Sequence, residues 1–98
     1  MVTAWHEGQL VGLARALSDD VSIVYIQDIL VRPEFQRGGV GRALLTRLLE
    51  RFAHVRSAVL LTDADEKQLR FYASLGFKNT RDLVKTPLNA FVRIANVE

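Results

Sequence analysis

Gln36-Arg37-Gly38-Gly39-Val40-Gly41-Arg42 stands between an apolar strand and an amphipathic helix, and its reading decides the fold. Glycines let the main chain approach a ligand closely and adopt φ > 0 where a side chain would clash. The first N–H groups of the helix that follows have no intrahelical partners, and their partial positive charge draws anions. The stretch therefore predicts a turn that cradles a phosphate, with Arg37 and Arg42 at its flanks.

Working upstream, Ile23 to Val31 is a long strand rich in β-branched residues, halted by Arg32-Pro33. Met1 to Trp5 and Leu10 to Leu17 read as two further strands joined by the glycine-containing turn His6-Glu7-Gly8-Gln9, and Ser18-Asp19-Asp20 makes the next turn. The three strands predict an antiparallel meander. Downstream of Val40, Leu44, Leu48 and Phe52, with Leu45 and Leu49 beside them, recur at helical spacing, while Arg42, Arg47, Glu50 and Arg51 face outward. Ala58 to Thr62 reads as a short buried strand, so Ile23 to Thr62 is strand, crossover helix, strand, which implies parallel pairing and a right-handed crossover. Asp63-x-x-Glu66 matches a capping box for a second helix whose buried side is Leu69, Tyr72, Ala73 and Leu75. Gly76 sits where that helix stops, with Phe77 packing back. Phe77 to Thr80 and Ala90 to Ala95 are expected as closing strands around a loop containing Thr86-Pro87. The fold class is α/β (α+β): a mixed central sheet with an N-terminal meander, a parallel strand–helix–strand unit, and a C-terminal helix plus strands.

At 98 residues the length points to one domain spanning 1–98, which buries roughly 60 to 70% of its unfolded surface. Cysteine is absent, which removes disulfides and thiolate metal ligands and fits a reducing compartment. No apolar run spans a bilayer and the N-terminus lacks a signal-peptide layout, so a cytoplasmic protein without membrane association is the expectation. Thirteen basic against eleven acidic residues leave a net charge of +2, too little for a general nucleic-acid binder, and aromatic platforms for RNA are lacking. Unsatisfied apolar sheet surface favours a homodimer.

Spacing separates the phosphate motifs that compete for the glycine turn. A Walker A loop needs a lysine and then serine or threonine after its last glycine, where this chain has Arg42-Ala43. A dinucleotide fingerprint needs a small residue at Leu44 and a turn directly off the strand. The Q/R-x-x-G-x-G/A turn that binds the pyrophosphate of coenzyme A is satisfied in full by Gln36-x-x-Gly39-x-Gly41. Here the chain resembles the GCN5-related N-acetyltransferase superfamily over nearly its whole length. Ile29-Leu30-Val31 with Arg32-Pro33-Glu34-Phe35 looks like the family's fourth strand and its lead into the turn. Leu69 to Phe77, with Phe71-Tyr72 and Leu75-Gly76-Phe77, resembles the helix and strand near the reaction centre. One departure is that the family usually opens with a strand and two helices before the meander, elements that wall the acceptor site. The sequence starts at the meander, as a short form, a chain completed by a partner, or a fragment would.

The resemblance implies transfer of an acetyl group from acetyl-coenzyme A to a primary amine of a small molecule or peptide, by direct attack in a ternary complex and without a metal. An alkylammonium with a pKa of about 10.4 costs roughly 4 to 5 kcal/mol to deprotonate at neutral pH, so a base is expected. Asp28, just before the acyl-binding edge, is the candidate; its other reading is a carboxylate paired with an arginine. Strand alternation puts Asp28 and Tyr25 on opposite faces unless a bulge intervenes, and Tyr25 reads as core. Ile29, Leu30 and Val31 would serve through main-chain groups, steadying the oxyanion and pairing with the pantetheine arm. Gln36, Arg37, Gly38, Gly39, Val40, Gly41 and Arg42 would hold the pyrophosphate. Tyr72 corresponds to the family's tyrosine that protonates the departing thiolate; the alternative is a tyrosine that packs and hydrogen-bonds the sulfur. Asp65 stands where relatives carry a cofactor-contacting asparagine, and its charge points to helix capping instead. His6 and His54 read as surface positions, and no group of histidines and carboxylates has metal-ligand spacing. The competing function is a non-catalytic acyl-coenzyme A sensor that keeps the turn without the transfer.

Overall fold

The computed structural model describes residues 1–95 and divides into two compact units, Met1–Leu61 and the stretch from Thr62 onward. The first holds a four-stranded sheet in the order β1 (Val2–His6), β2 (Gln9–Ser18), β3 (Ile23–Val31) and β4 (Ser57–Leu60), with helix α1 (Val40–Arg51) between β3 and β4. β1, β2 and β3 pair antiparallel, the expected meander, while β3 and β4 pair parallel from Ile23↔Ser57 to Ile26↔Leu60. The hairpin between β1 and β2 turns on Glu7 and Gly8, both at positive φ (49° and 78°), the geometry of a two-residue turn that keeps the strand twist. The β2–β3 turn is organised by Asp19, whose carboxylate accepts the N–H groups of Val21, Ser22 and Ile23 and the hydroxyl of Ser22. Those hydrogen bonds to the charged form hold the Asp19 carboxyl far below the usual carboxylate range.

Two bulges set the faces of the sheet. Ala4 pairs with Gly12 but Trp5 with Leu10, leaving Val11 as an extra, buried residue of β2. Arg15 pairs with Asp28 but Ala16 with Ile26, leaving Gln27 as an extra residue of β3. A Cβ on Gly12 would stand 3.0 Å from the Leu44 side chain and 3.2 Å from that of Val40, so Gly12, Ala14 and Ala16 face α1, together with their partners Val31, Ile29 and Ile26. Ala14, Val24 and Ile26 from the strands and Leu44, Leu45 and Leu48 from α1 are buried there, the helical stripe expected from the sequence. Phe52 is only half-buried, because α1 ends at Arg51 and Phe52 caps it. The His54 Nε2 donates to the Asp20 carboxylate at 2.8 Å and ties the end of α1 to the β2–β3 turn; both histidines are exposed, as expected.

The second unit holds α2 (Glu66–Ser74) and a 3₁₀ turn at Thr80–Asp82. Three expectations need correction here. The helix is capped by Asp65, whose side chain accepts the Lys67 N–H at 3.0 Å, not by Asp63, so Glu66 is the first residue of the helix and no capping box closes. Leu69, Tyr72 and Leu75 are half-buried as expected, but Ala73 is exposed. The closing strands expected at Phe77 to Thr80 and Ala90 to Ala95 are not formed among the described residues. The Phe77 N–H is taken by the Tyr72 carbonyl and the Asn79 side chain accepts from Arg81, so local bonds replace a ladder. Residues 90–95 enter no strand pairing among the described residues, and an extended segment becomes a strand only by pairing. Among the described residues no helix is long and apolar enough to cross a membrane.

Candidate functional site

At the end of β3, Arg32 adopts the extended conformation (φ −57°, ψ 141°) that a following proline enforces, and Pro33–Phe35 make one 3₁₀ turn. Arg32 anchors this exit to β2: its N–H donates to the Val11 carbonyl at 2.8 Å and its Nε to the Leu10 carbonyl at 2.6 Å. The Gln36 side chain donates back to the Val31 carbonyl at 3.1 Å, and the Gly38 N–H to the Phe35 carbonyl at 3.3 Å, so the turn is folded onto its own strand. Gln36 thereby has a structural task that the motif alone does not reveal. Gly39 follows in the left-handed region (φ 83°) as the N-cap of α1. That conformation costs an ordinary L-residue about 1 to 2 kcal/mol, which accounts for the glycine.

Helix α1 starts without an anion of its own. Gly39 offers no side chain to cap it, no acidic residue lies in its first turn, and its ladder begins only with the Ala43 N–H on the Gly39 carbonyl at 3.0 Å. α2 is the contrast within the same chain, with the Asp65 carboxylate on its first turn and Glu66 beside it. The amides of Val40 and Gly41 and the positive end of the α1 dipole are thus left to an incoming anion, with Arg37 and Arg42 at either side. The turn is also sterically open: nothing lies within 4 Å of where a Cβ on Gly39 would stand, and the nearest atom to one on Gly38 is the Phe35 carbonyl at 3.6 Å. Backbone is open to a ligand at both positions.

Asp28 lies one residue beyond the Gln27 bulge, and the bulge reverses the expected alternation. Tyr25 and Asp28 share the face of the sheet that does not meet α1. Asp28 is paired there with Arg15 across the β2–β3 ladder, Nη2 to Oδ2 at 2.6 Å, with the Asp28 side chain 32% exposed. Arg15 was not singled out by sequence reasoning; counting register from the Gly12↔Val31 pair would have found it. Gly12 was missed too, though a glycine inside a strand is a signal of close approach.

Tyr72, in the second unit, is fixed by the way its helix ends. Its carbonyl accepts the Phe77 N–H at 3.1 Å while the Gly76 N–H bonds to the Ala73 carbonyl at 3.1 Å, with Gly76 at φ 93°. These crossed bonds form a Schellman stop, and the hydrophobic contact that accompanies it is Tyr72 on Phe77, edge to face with centroids 5.9 Å apart. Phe71 meets the same ring at 5.1 Å. Burial raises the Tyr72 phenol above its ordinary value, so it stays protonated across neutral pH and is a donor.

The family model for an acetyltransferase (GNAT) domain matches residues 1–89. GCN5-related N-acetyltransferase 2, chloroplastic, from Arabidopsis thaliana is 35% identical over 80 residues, which is 82% of this chain and 31% of that protein. The chain thus spans about a third of this curated relative's length. Among solved structures, a GNAT family acetyltransferase from Streptococcus pneumoniae TIGR4 superposes with a TM-score of 0.83 at 32% identity, over 96% of this chain and 69% of that one. The ribosomal-protein-S18-alanine N-acetyltransferase from Escherichia coli does so at 0.64 and 28% identity, over 76% and 49%. An antiparallel meander, a glycine-capped helix between parallel strands, and a family match over most of its length place the chain in one group: it belongs to the GNAT acetyltransferase family.

Proposed function

We propose that this chain is the acetyl-coenzyme A-binding part of an N-acetyltransferase acting on a primary amine. The observation that carries the reading is the uncapped, glycine-started α1 at the end of β3, set against the self-capped α2. Gly38, Gly39, Val40 and Gly41 would hold the pyrophosphate through main-chain N–H groups, with Arg37 and Arg42 supplying charge. Ile29, Leu30 and Val31 would line the acyl arm through backbone groups. When bound, acetyl-coenzyme A supplies the activated acetyl group as co-substrate, and no metal is needed. Asp28, paired with Arg15, would receive the ammonium of the acceptor and accept its proton. Tyr72, kept protonated by its surroundings, would return a proton to the leaving sulfur. That transfer is uphill, since a phenol near 10 faces a thiol near 8.5, roughly 2 kcal/mol before burial adds to it. Its benefit is therefore moderate. The S18-alanine acetyltransferase among the neighbours supports an acceptor amine at an α-carbon.

The Arg15–Asp28 pair also favours a second reading, a binding-only acyl-coenzyme A sensor, because the proposed base is already engaged. Thermal unfolding with acetyl-coenzyme A, coenzyme A and ATP side by side decides the first point. A ligand at 100 times its dissociation constant adds about 2.7 kcal/mol, and the shift is expected for both coenzyme A forms and not for ATP. Thiol release on adding an amine panel then separates transferase from sensor.

A further inference from the structure

The face of the sheet that does not meet α1 carries a run of apolar side chains on β2 and β3 interrupted by one ion pair. Leu13 and Leu17 on β2 and Tyr25 and Leu30 on β3 share it, with Leu17 and Leu30 exposed at 63% and 58%. Among them stand Arg15 and Asp28, directly opposed in the ladder and joined at 2.6 Å. An exposed cross-strand ion pair contributes little to stability. Its net charge is zero, so it offers a simple ammonium no attraction: a cation that reaches Asp28 comes equally close to the Arg15 guanidinium. A molecule with an ammonium and a carboxylate on the same carbon meets no such conflict. It replaces one ion pair by two, ammonium on Asp28 and carboxylate on Arg15, and the spacing of directly opposed strand residues, about 4.5 to 5.5 Å, suits so short a zwitterion. Asp28 also lies on the strand whose end leads into the glycine turn, so an amine held there is delivered to the element assigned to the acyl arm.

We propose that Arg15 and Asp28 together recognise a free α-amino acid as the acceptor, with Tyr25, Leu17 and Leu30 receiving an apolar or aromatic side chain; this rests on the acetyl-transfer reading. L-phenylalanine, L-phenylalaninamide and 2-phenylethylamine share the amine and ring and differ in the carboxylate. Binding of each to the coenzyme A-loaded protein by calorimetry, and kcat/KM for thiol release from acetyl-coenzyme A, should favour L-phenylalanine by about tenfold or more. In Arg15→Gln that preference collapses through Kd and KM rather than kcat, with 2-phenylethylamine gaining; Arg15→Lys retains part of it; Asp28→Asn weakens all three. If Arg15→Gln does not fold by thermal melting, Arg15→Lys and the wild-type ranking carry the test. Equal or better use of the amide, or an unaltered ranking in a folded Arg15→Gln, overturns the proposal while leaving acetyl transfer intact. Absence of both a coenzyme A-dependent thermal shift and thiol release overturns acetyl transfer and the proposal with it.

Discussion

Tyr72 ends its own helix and is also the side chain proposed to act on the leaving sulfur. Its ring closes the Schellman stop against Phe77, and the burial that results keeps its phenol protonated. Tyr72→Phe preserves the ring contacts and removes only the hydroxyl. Turnover is expected to fall by about 10² to 10⁴ with the affinity for acetyl-coenzyme A unchanged, measured by steady-state kinetics beside calorimetry; unchanged turnover would refute the acid role. Asp19 is the opposite kind of residue, exposed and spent wholly on its own turn. Its carboxyl is lowered in the folded state, so the stability it contributes is present above the unfolded carboxylate value near 4 and is lost as pH falls further toward its folded value. Melting curves should show Asp19→Ala less stable than the wild type at pH 7, with the gap narrowing steadily as the pH is lowered below 4.

The two helices start by different rules, and each rule has its own test. Asp65→Ala removes a cap and should cost about 1 kcal/mol, whereas Asp63→Ala, outside the helix, should stay within about 0.5 kcal/mol. Thermal denaturation of the two variants side by side reads the difference. The sequence stretch Asp63-Ala64-Asp65-Glu66 admits either aspartate as cap; the capping-box spacing pointed to Asp63 and the charge of Asp65 to itself, and the structure bears out Asp65. β3 was legible to the residue at both ends, because Ile23 to Val31 is rich in β-branched residues and closed by Arg32-Pro33. What pattern could not reveal was the Gln27 bulge, since a bulge is a property of two strands in register and not of either one. The face shared by Tyr25, Asp28 and Arg15 was hidden for that reason. The expected strands at Phe77 to Thr80 and Ala90 to Ala95 failed on the same ground: propensity proposes a strand, and only a partner makes one.

At the scale of the molecule, the glycine turn proposed to hold coenzyme A lies in a unit whose order of strands and helix was readable from Met1 to Leu61, while the stretch from Thr62 onward was readable only around α2. The glycine turn advertised itself through its spacing; the residue that seats it did not. Gly12 lies under Val40 and Leu44, and a methyl group there would stand 3.0 Å from both the Leu30 carbonyl and the Leu44 side chain. Gly12→Ala should cost about 1 to 3 kcal/mol and, by lifting the start of α1, weaken coenzyme A binding, as melting and calorimetry would show together. For protein engineering this means the phosphate loop is not a portable part. Grafting residues 36–42 onto another sheet transplants the loop without its foundation, and a recipient scaffold must supply a side-chain-free notch on the neighbouring strand before the borrowed helix can sit low enough to work.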